Sequence, residues 1–237
     1  MNRLLVVVVS LFASLALAEV GKVGALEGEA TRTPKGGAAQ KLEVGSAIEL
    51  GDTVAVKTGN LKFELNDGSV IMLAPASTLE ITEADFEGQE RKGFSGMLKA
   101  GSLWTKVKKA LGGGKFEVST ERAVAGVRGT IFRIDADALV KAAKGKGRKA
   151  SIVRVVEGAV AVNPSKAIAK TFKKAAPKGP RVEVAGPKEV SVDEWEKIFV
   201  TLAANQQIAV GVDLWEQAEL EESAKHDAFA KWIEKNQ

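Results

Sequence analysis

A single imidazole, His226, and no thiol are available to this chain, so cysteine–histidine catalysis and any multi-histidine metal site are closed from the outset. Serines, lysines and carboxylates are plentiful, which leaves a serine–lysine or paired-carboxylate hydrolase open by composition. One spacing stands out. Asp135 and Asp137 lie two residues apart in an alternating run, so a strand would put both carboxylates on one face, where they could hold calcium or share acid–base work. Acids alternating along a solvated strand edge are the plainer reading and are preferred, because no glycine-rich phosphate loop or other catalytic context surrounds them. No catalytic residue, no metal ligand and no cofactor is expected, and His226 is read as a solvated residue of a charged tail.

Binding chemistry has more candidates. Arg128 stands between Gly126 and Gly129, where a guanidinium fork could take a carboxylate from a ligand or partner. A structural role is preferred: a partly buried arginine that bonds carbonyls at a strand corner, or pairs with Asp52 or Asp67. Gly126 and Gly129 are read as positions set by backbone geometry, and Asp67 as a turn former. Two basic stretches, KAAKGKGRK at 141–149 and KAIAKTFKKAAPKGPR at 166–181, could hold lipopolysaccharide phosphate or another anionic envelope polymer through Lys144, Lys146, Arg148, Lys173 and Lys174. A solvated basic loop is the plainer account of both. With 34 lysines and arginines against 30 acids, the balance is too even to imply a nucleic-acid protein.

The compartment narrows the choice further. Arg3, the apolar run Leu4 to Leu15 and the small residues of Ala16-Leu17-Ala18 follow the layout of a cleavable signal peptide, with cleavage expected after Ala18. A retained anchor is the alternative, although the run is shorter than the roughly 18 to 20 residues that span a bilayer. The expected location is periplasmic or secreted, with no membrane span after cleavage. Lacking cysteine, the chain cannot be a lipoprotein or use disulfides, so its stability must come from burial.

The elements that would position these groups are mainly strands. Leu61 to Leu65 alternates apolar and charged residues, Asn66-Asp67-Gly68-Ser69 suits a tight turn, and Val70 to Leu73 is apolar on both faces, which predicts an antiparallel hairpin. Gly28, Gly51, Gly101 and Gly158 each come just before a further short strand, as corners would. A sandwich, a β-roll or a short β-solenoid fits this spacing, and an open roll or solenoid is preferred because no strict repeat exists. From about Ser191 the pattern turns helical. Capping-box spacings at Ser191 and Asp213 predict a helix from Val192 to about Asn205 and a second from Leu214 to about Glu234. Trp195, Trp215 and Trp232 on this helical hairpin would pack on the β region, which is preferred, or dock a protein partner. The expected division is a signal peptide at 1–18, a β domain at 19–163, a basic loop with closing strands at 164–190 and a helical tail at 191–237.

The stretch Phe116-Glu117-Val118-Ser119-Thr120 followed by AVAGVRGTIF at 123–132 resembles the signature of the FecR domain. Other elements of that family appear in order: Gly51-Asp52-Thr53-Val54, Asp67-Gly68-Ser69, Leu98-Lys99-Ala100-Gly101-Ser102-Leu103, Val127-Arg128-Gly129-Thr130-Ile131-Phe132 and Val155-Val156-Glu157-Gly158-Ala159-Val160. The resemblance implies a periplasmic module that takes part in envelope signal transduction by binding a periplasmic or outer-membrane protein, without catalysis. Typical signalling members carry a cytoplasmic anti-sigma segment ahead of that module. Here the β region is expected to follow the signal peptide directly, as in a stand-alone form, which places a direct anti-sigma role in doubt. Binding of envelope glycan or lipopolysaccharide is the alternative function.

Overall fold

The computed structural model describes residues 19–109, 114–140, 147–171, 200–212, 214–222 and 226–237. Its spine is a long ribbon of β1 (Glu19–Thr33) and β4 (Thr53–Leu65), paired antiparallel along almost their whole length. The short strands β2 (Gln40–Lys41) and β3 (Ala47–Glu49) pair back onto β1. Midway along the ribbon Gly28 faces Gly59, both with positive φ, at +82° and +70°. No other residue fits there. A Cβ on Gly59 would lie 1.9 Å from the Glu27 carbonyl oxygen, and one on Gly28 would lie 2.3 Å from that of Thr58.

This glycine pair divides the ribbon into two halves, each of which starts an arm of the sheet from the same edge of β4. Leu61 to Glu64 pair with β5 (Val70–Leu73), which continues into β8 (Ser102–Lys106), β11 (Ile131–Val140), β12 (Arg148–Glu157), β15 (Gln206–Gly211) and β16 (Leu214–Glu219). Thr53 to Val56 pair instead with β6 (Ser77–Glu87), leading to β7 (Glu90–Ala100), β9 (Lys115–Ser119), β10 (Ala123–Val127), β13 (Ala159–Pro164) and β14 (Val200–Ala203). All described pairings are antiparallel except β7 with β9.

Consecutive strands repeatedly fall in opposite arms, and a positive-φ residue marks five of these steps. Ala76 lies between β5 and β6, Gly101 between β7 and β8, Gly129 between β10 and β11, Gly158 between β12 and β13, and Asn205 between β14 and β15. Of the glycine corners read from the sequence, Gly101 and Gly158 are places where the chain passes from one arm to the other, whereas Gly28 lies within β1 and Gly51 just before β4. The alternating apolar residues of both arms meet in one core: Leu73, Phe132 and Val153 from the first arm, with Leu79, Phe94 and Val160 from the second, all fully buried. The sheet curls into a half-barrel, the roll among the expected arrangements. A solenoid would stack its strands in parallel, which this pairing pattern does not do.

The tail departs from expectation. Residues 191–199, including Trp195, lie outside the described residues, but Val200–Ala203 is a strand where the first helix was expected to continue. Leu214–Glu219 is likewise a strand where the second was expected to begin, and Gly211 pairs with Leu214 across a tight hairpin. Helical spacing of apolar residues lost to tertiary context. The open edges of β13 and β12 offer backbone partners, and Leu202, Ile208 and Val210 reach the main core by alternating.

Two helices are described: α1 (Lys166–Ala169), capped by Ser165, and α2 (Ala228–Asn236). Asp227 caps α2 by accepting a hydrogen bond from the Ala230 amide at 2.7 Å. Phe229, Trp232 and Ile233 of α2 pack against Met72, Ala74 and Trp104 on the outer face of β5 and β8, forming a second, smaller apolar cluster. Among the described residues no helix is long and apolar enough to cross a membrane.

Candidate functional site

The termini of four neighbouring strands lie in one row: Val70 beside Lys106, Lys106 beside Ile131, and Ile131 beside Glu157. Beyond the row the adjoining turns enclose a cleft of about 340 Å³, lined by Gly68, Lys106, Val107, Lys108, Lys109, Gly129, Thr130, Ile131 and Glu157. Three of the sequence elements singled out above meet here: Asp67-Gly68-Ser69, Arg128-Gly129-Thr130 and Glu157-Gly158-Ala159.

A buried polar frame fixes the first turn. The Asp67 carboxylate accepts from the Ser69 amide and the Ser69 hydroxyl, each at 2.9 Å, while Gly68 takes a φ of +77°. Arg91 of β7 forms an ion pair with Asp67, donates to Ser69 Oγ at 3.0 Å and donates to the Lys108 carbonyl at 3.0 Å. Ser69 Oγ also accepts from the Lys108 amide at 2.9 Å. The Asp67-Ser69-Arg91 network thus anchors the backbone of Lys108 and leaves its side chain free. The Arg91 side chain is fully buried, lies 5.1 Å from the centre of the Phe116 ring, and keeps a buried Nε without a hydrogen-bond partner. Burial pulls its pKa down against the opposing pull of Asp67.

The second turn is fixed by Thr130, which is buried and donates from Oγ1 to the Ala159 carbonyl at 2.9 Å. Its own carbonyl accepts from the Val107 amide at 2.9 Å. Gly129 has a φ of +64°, and a Cβ there would press within 3.1 Å of Lys109 Cβ. Phe132, one residue into β11, is fully buried in the main core. Gly126 is different: its φ is not positive, and a Cβ would meet nothing nearer than the Ala161 oxygen at 4.0 Å, so backbone geometry does not demand glycine there.

Arg128 also differs from expectation. It is exposed, and no ion pair or hydrogen bond forms from its side chain among the described residues, because both proposed partners are taken. Asp67 belongs to Arg91. Asp52 belongs to Arg32, at 3.3 Å, and accepts from the Glu49 amide at 2.9 Å. Arg32 further donates to the Ala47 carbonyl at 2.8 Å, so this second pair clamps the β2–β3 loop to the ribbon. Burial raises the pKa of Asp52, against the Glu49 amide and Arg32, and its Oδ1 has no partner. Nothing local in Glu90-Arg91-Lys92 distinguishes the buried arginine from the exposed lysine beside it.

The paired-carboxylate reading of Asp135 and Asp137 does not survive the geometry. Asp135 is buried between Arg154 and Arg133, the latter at 3.0 Å, and Arg133 also bonds the Asp227 carboxylate beneath the Phe229 ring. Burial would raise the Asp135 pKa, but the two guanidinium groups outweigh it and hold the carboxyl below its usual range. Asp137 pairs with Arg122 at 3.0 Å. Both acids are therefore held in internal pairs, and Arg133 and Arg154 also line a second groove of about 340 Å³ with Trp104, Val156 and Ile233 under α2.

Of the tryptophans expected on the tail, Trp232 is buried against β5 and β8, and Trp215 packs half-buried on the main core. Both therefore pack on the β region. Lys144, Lys146, Lys173 and Lys174 lie outside the described residues, whereas Arg148 is exposed at the start of β12. His226 is exposed, with Nε2 3.9 Å from Glu222. No group of three or more His, Asp or Glu side chains suited to a metal ion occurs among the described residues.

Compared with known proteins, residues 52–161 match the family described as FecR protein. Two crystal structures of a provisionally described anti-sigma factor from Parabacteroides distasonis ATCC 8503 resemble the chain over 76% of its length, at 18% identity and a TM-score of 0.46. The match spans 64% and 63% of those chains, under two thirds of their length. No curated protein matches.

Proposed function

We propose that the chain, whose residues 52–161 are a FecR domain, is a non-catalytic sensory or protein-interaction module of envelope signalling. The family match carries this reading. The arrangement of the matched segment is in keeping with it: three of the turns that hold the family's sequence elements converge at one end of the sheet, where Arg128 is exposed and forms no ion pair among the described residues while Asp67 is committed to Arg91. Export to the periplasm is part of the proposal. It rests on the leader-like pattern of residues 1–18.

The test joins location to contact. Cells producing the full chain are fractionated and the N-terminus of the product is sequenced; a periplasmic product starting at Glu19 is expected. A photo-crosslinking residue at position 128 should then link to one defined protein, and a matching probe at Lys57, on the exposed face of the ribbon, should not. A cytoplasmic, uncleaved product would refute the location, and equal labelling from both probes would refute a specific contact at the signature turns.

A further inference from the structure

The cleft at the turns is positive, with three lysines in its lining against one carboxylate. Elsewhere on the β region Lys22, Lys57, Lys62, Lys92, Lys99 and Lys115 each have an acid within 4.0 Å. Lys106, Lys108 and Lys109 are exposed, line the same cleft and form no ion pair among the described residues. Arg128 adjoins them through Gly129. Glu157 is the one acid in the lining, set against these four cations.

We infer that this cleft binds a multiply charged phosphate group, held by Lys106, Lys108 and Lys109. Three features select phosphate over an acidic peptide. The cations lining the cleft are ammonium groups, which act as point charges on tetrahedral oxygens, whereas planar carboxylates are better matched by a guanidinium fork. Gly68 and Gly129 present bare backbone at positive φ, so an anion can approach closely; the Lys108 Nζ already lies 3.0 Å from where a Gly68 Cβ would stand. Of the strands beneath the cleft, β5, β8 and β11 are paired on both edges, and β12 leaves only Val156 and Glu157 beyond its bonds to β15 and Asn205, too short an edge for an extended peptide to join. The buried Asp67-Ser69-Arg91 frame fixes the Lys108 backbone in advance, which lowers the ordering cost of binding. This inference uses the cleft alone and stands whether or not the FecR reading of function holds.

The test titrates inorganic pyrophosphate into the purified chain at low ionic strength by calorimetry. Two variants with equal loss of charge are compared: Lys106→Gln/Lys108→Gln/Lys109→Gln, and Lys149→Gln/Lys166→Gln/Lys170→Gln, whose lysines are also exposed and unpaired but lie away from the cleft. Losing charge-assisted contacts should weaken binding at least about tenfold in the first variant, with the second within about twofold of the parent. All six side chains are exposed, so unchanged melting of both variants is the accompanying control. Equal weakening in both would reveal diffuse attraction and overturn the proposal, as would no binding to the parent, or tighter binding of a poly-aspartate peptide lost in the first variant. A second arm uses phosphatidylcholine vesicles containing phosphatidic acid. Pyrophosphate binding without vesicle binding assigns a soluble phosphate ligand, and vesicle binding lost in the first variant assigns a lipid headgroup.

Discussion

Replacing Asp67 with asparagine tests whether the frame beneath the cleft is held by charge or by turn geometry. Asparagine keeps the turn, since its side-chain oxygen can still accept from the Ser69 amide. It removes the counter-ion of a fully buried guanidinium whose Nε already lacks a partner. Breaking such a pair from one side costs about 3–5 kcal/mol, because the remaining charge is left uncompensated. For a domain of this size the lower figure corresponds to a fall in melting temperature of roughly 6–12 °C. Arg91→Met removes the cation instead, but also frees the Lys108 carbonyl and a share of Ser69 Oγ, so it should destabilise as well. The double variant should be less unstable than the sum of the two single losses, by more than about 1 kcal/mol in a double-mutant cycle. Urea unfolding followed by tryptophan fluorescence reads all four proteins. Additive losses, or a neutral Asp67→Asn, would refute the view that the buried pair organises this turn.

Other substitutions probe separate parts of the fold. Gly59→Ala should prevent folding, judged by loss of the β circular-dichroism signal, whereas Gly126→Ala, with an open site, should change stability by no more than about 0.5 kcal/mol. Trp232→Ala should cost about 3–5 kcal/mol in chemical denaturation if the residue is part of the packed cluster under α2 rather than a docking anchor. The folded-state pKa of Asp135 is depressed, so its ion pairs stabilise the protein above the unfolded value of about 3.9 and are lost as pH falls through the folded value. Stability of the parent should therefore drop more steeply below about pH 4 than that of Asp135→Asn; parallel profiles would count against the ion-pair assignment.

What could be read from sequence was what local chemistry dictates. The Leu61-to-Leu73 hairpin follows from alternation and an Asx turn, and the corners at Gly101 and Gly158 from the need for positive φ. The pairing of charges was not legible in the same way. Arg91 reaches an acid 24 residues away, and Arg32 one 20 residues away, and no spacing announces either. Arg128 looked structural because a buried corner would demand partners, but the corner faces solvent. The tail misled for a different reason. Its apolar residues suit a helix and a strand almost equally, and the choice fell to sheet edges built from residues 148–164.

The division of the ribbon at Gly28 and Gly59 has a consequence for how the molecule is made. Because the chain alternates between arms, neither arm is a contiguous piece of sequence, and neither can mature while the other waits. In a chain that stops at residue 164, β12 and β13 each lack a neighbour on one side, and only β15 and β14 supply them. A chain stopped there carries two raw hydrogen-bonding edges, the usual templates for aggregation. The last strands therefore cover both edges at once, and the outermost positions pass to β14 and to β16, whose exposed Glu216 and Glu219 suit an edge.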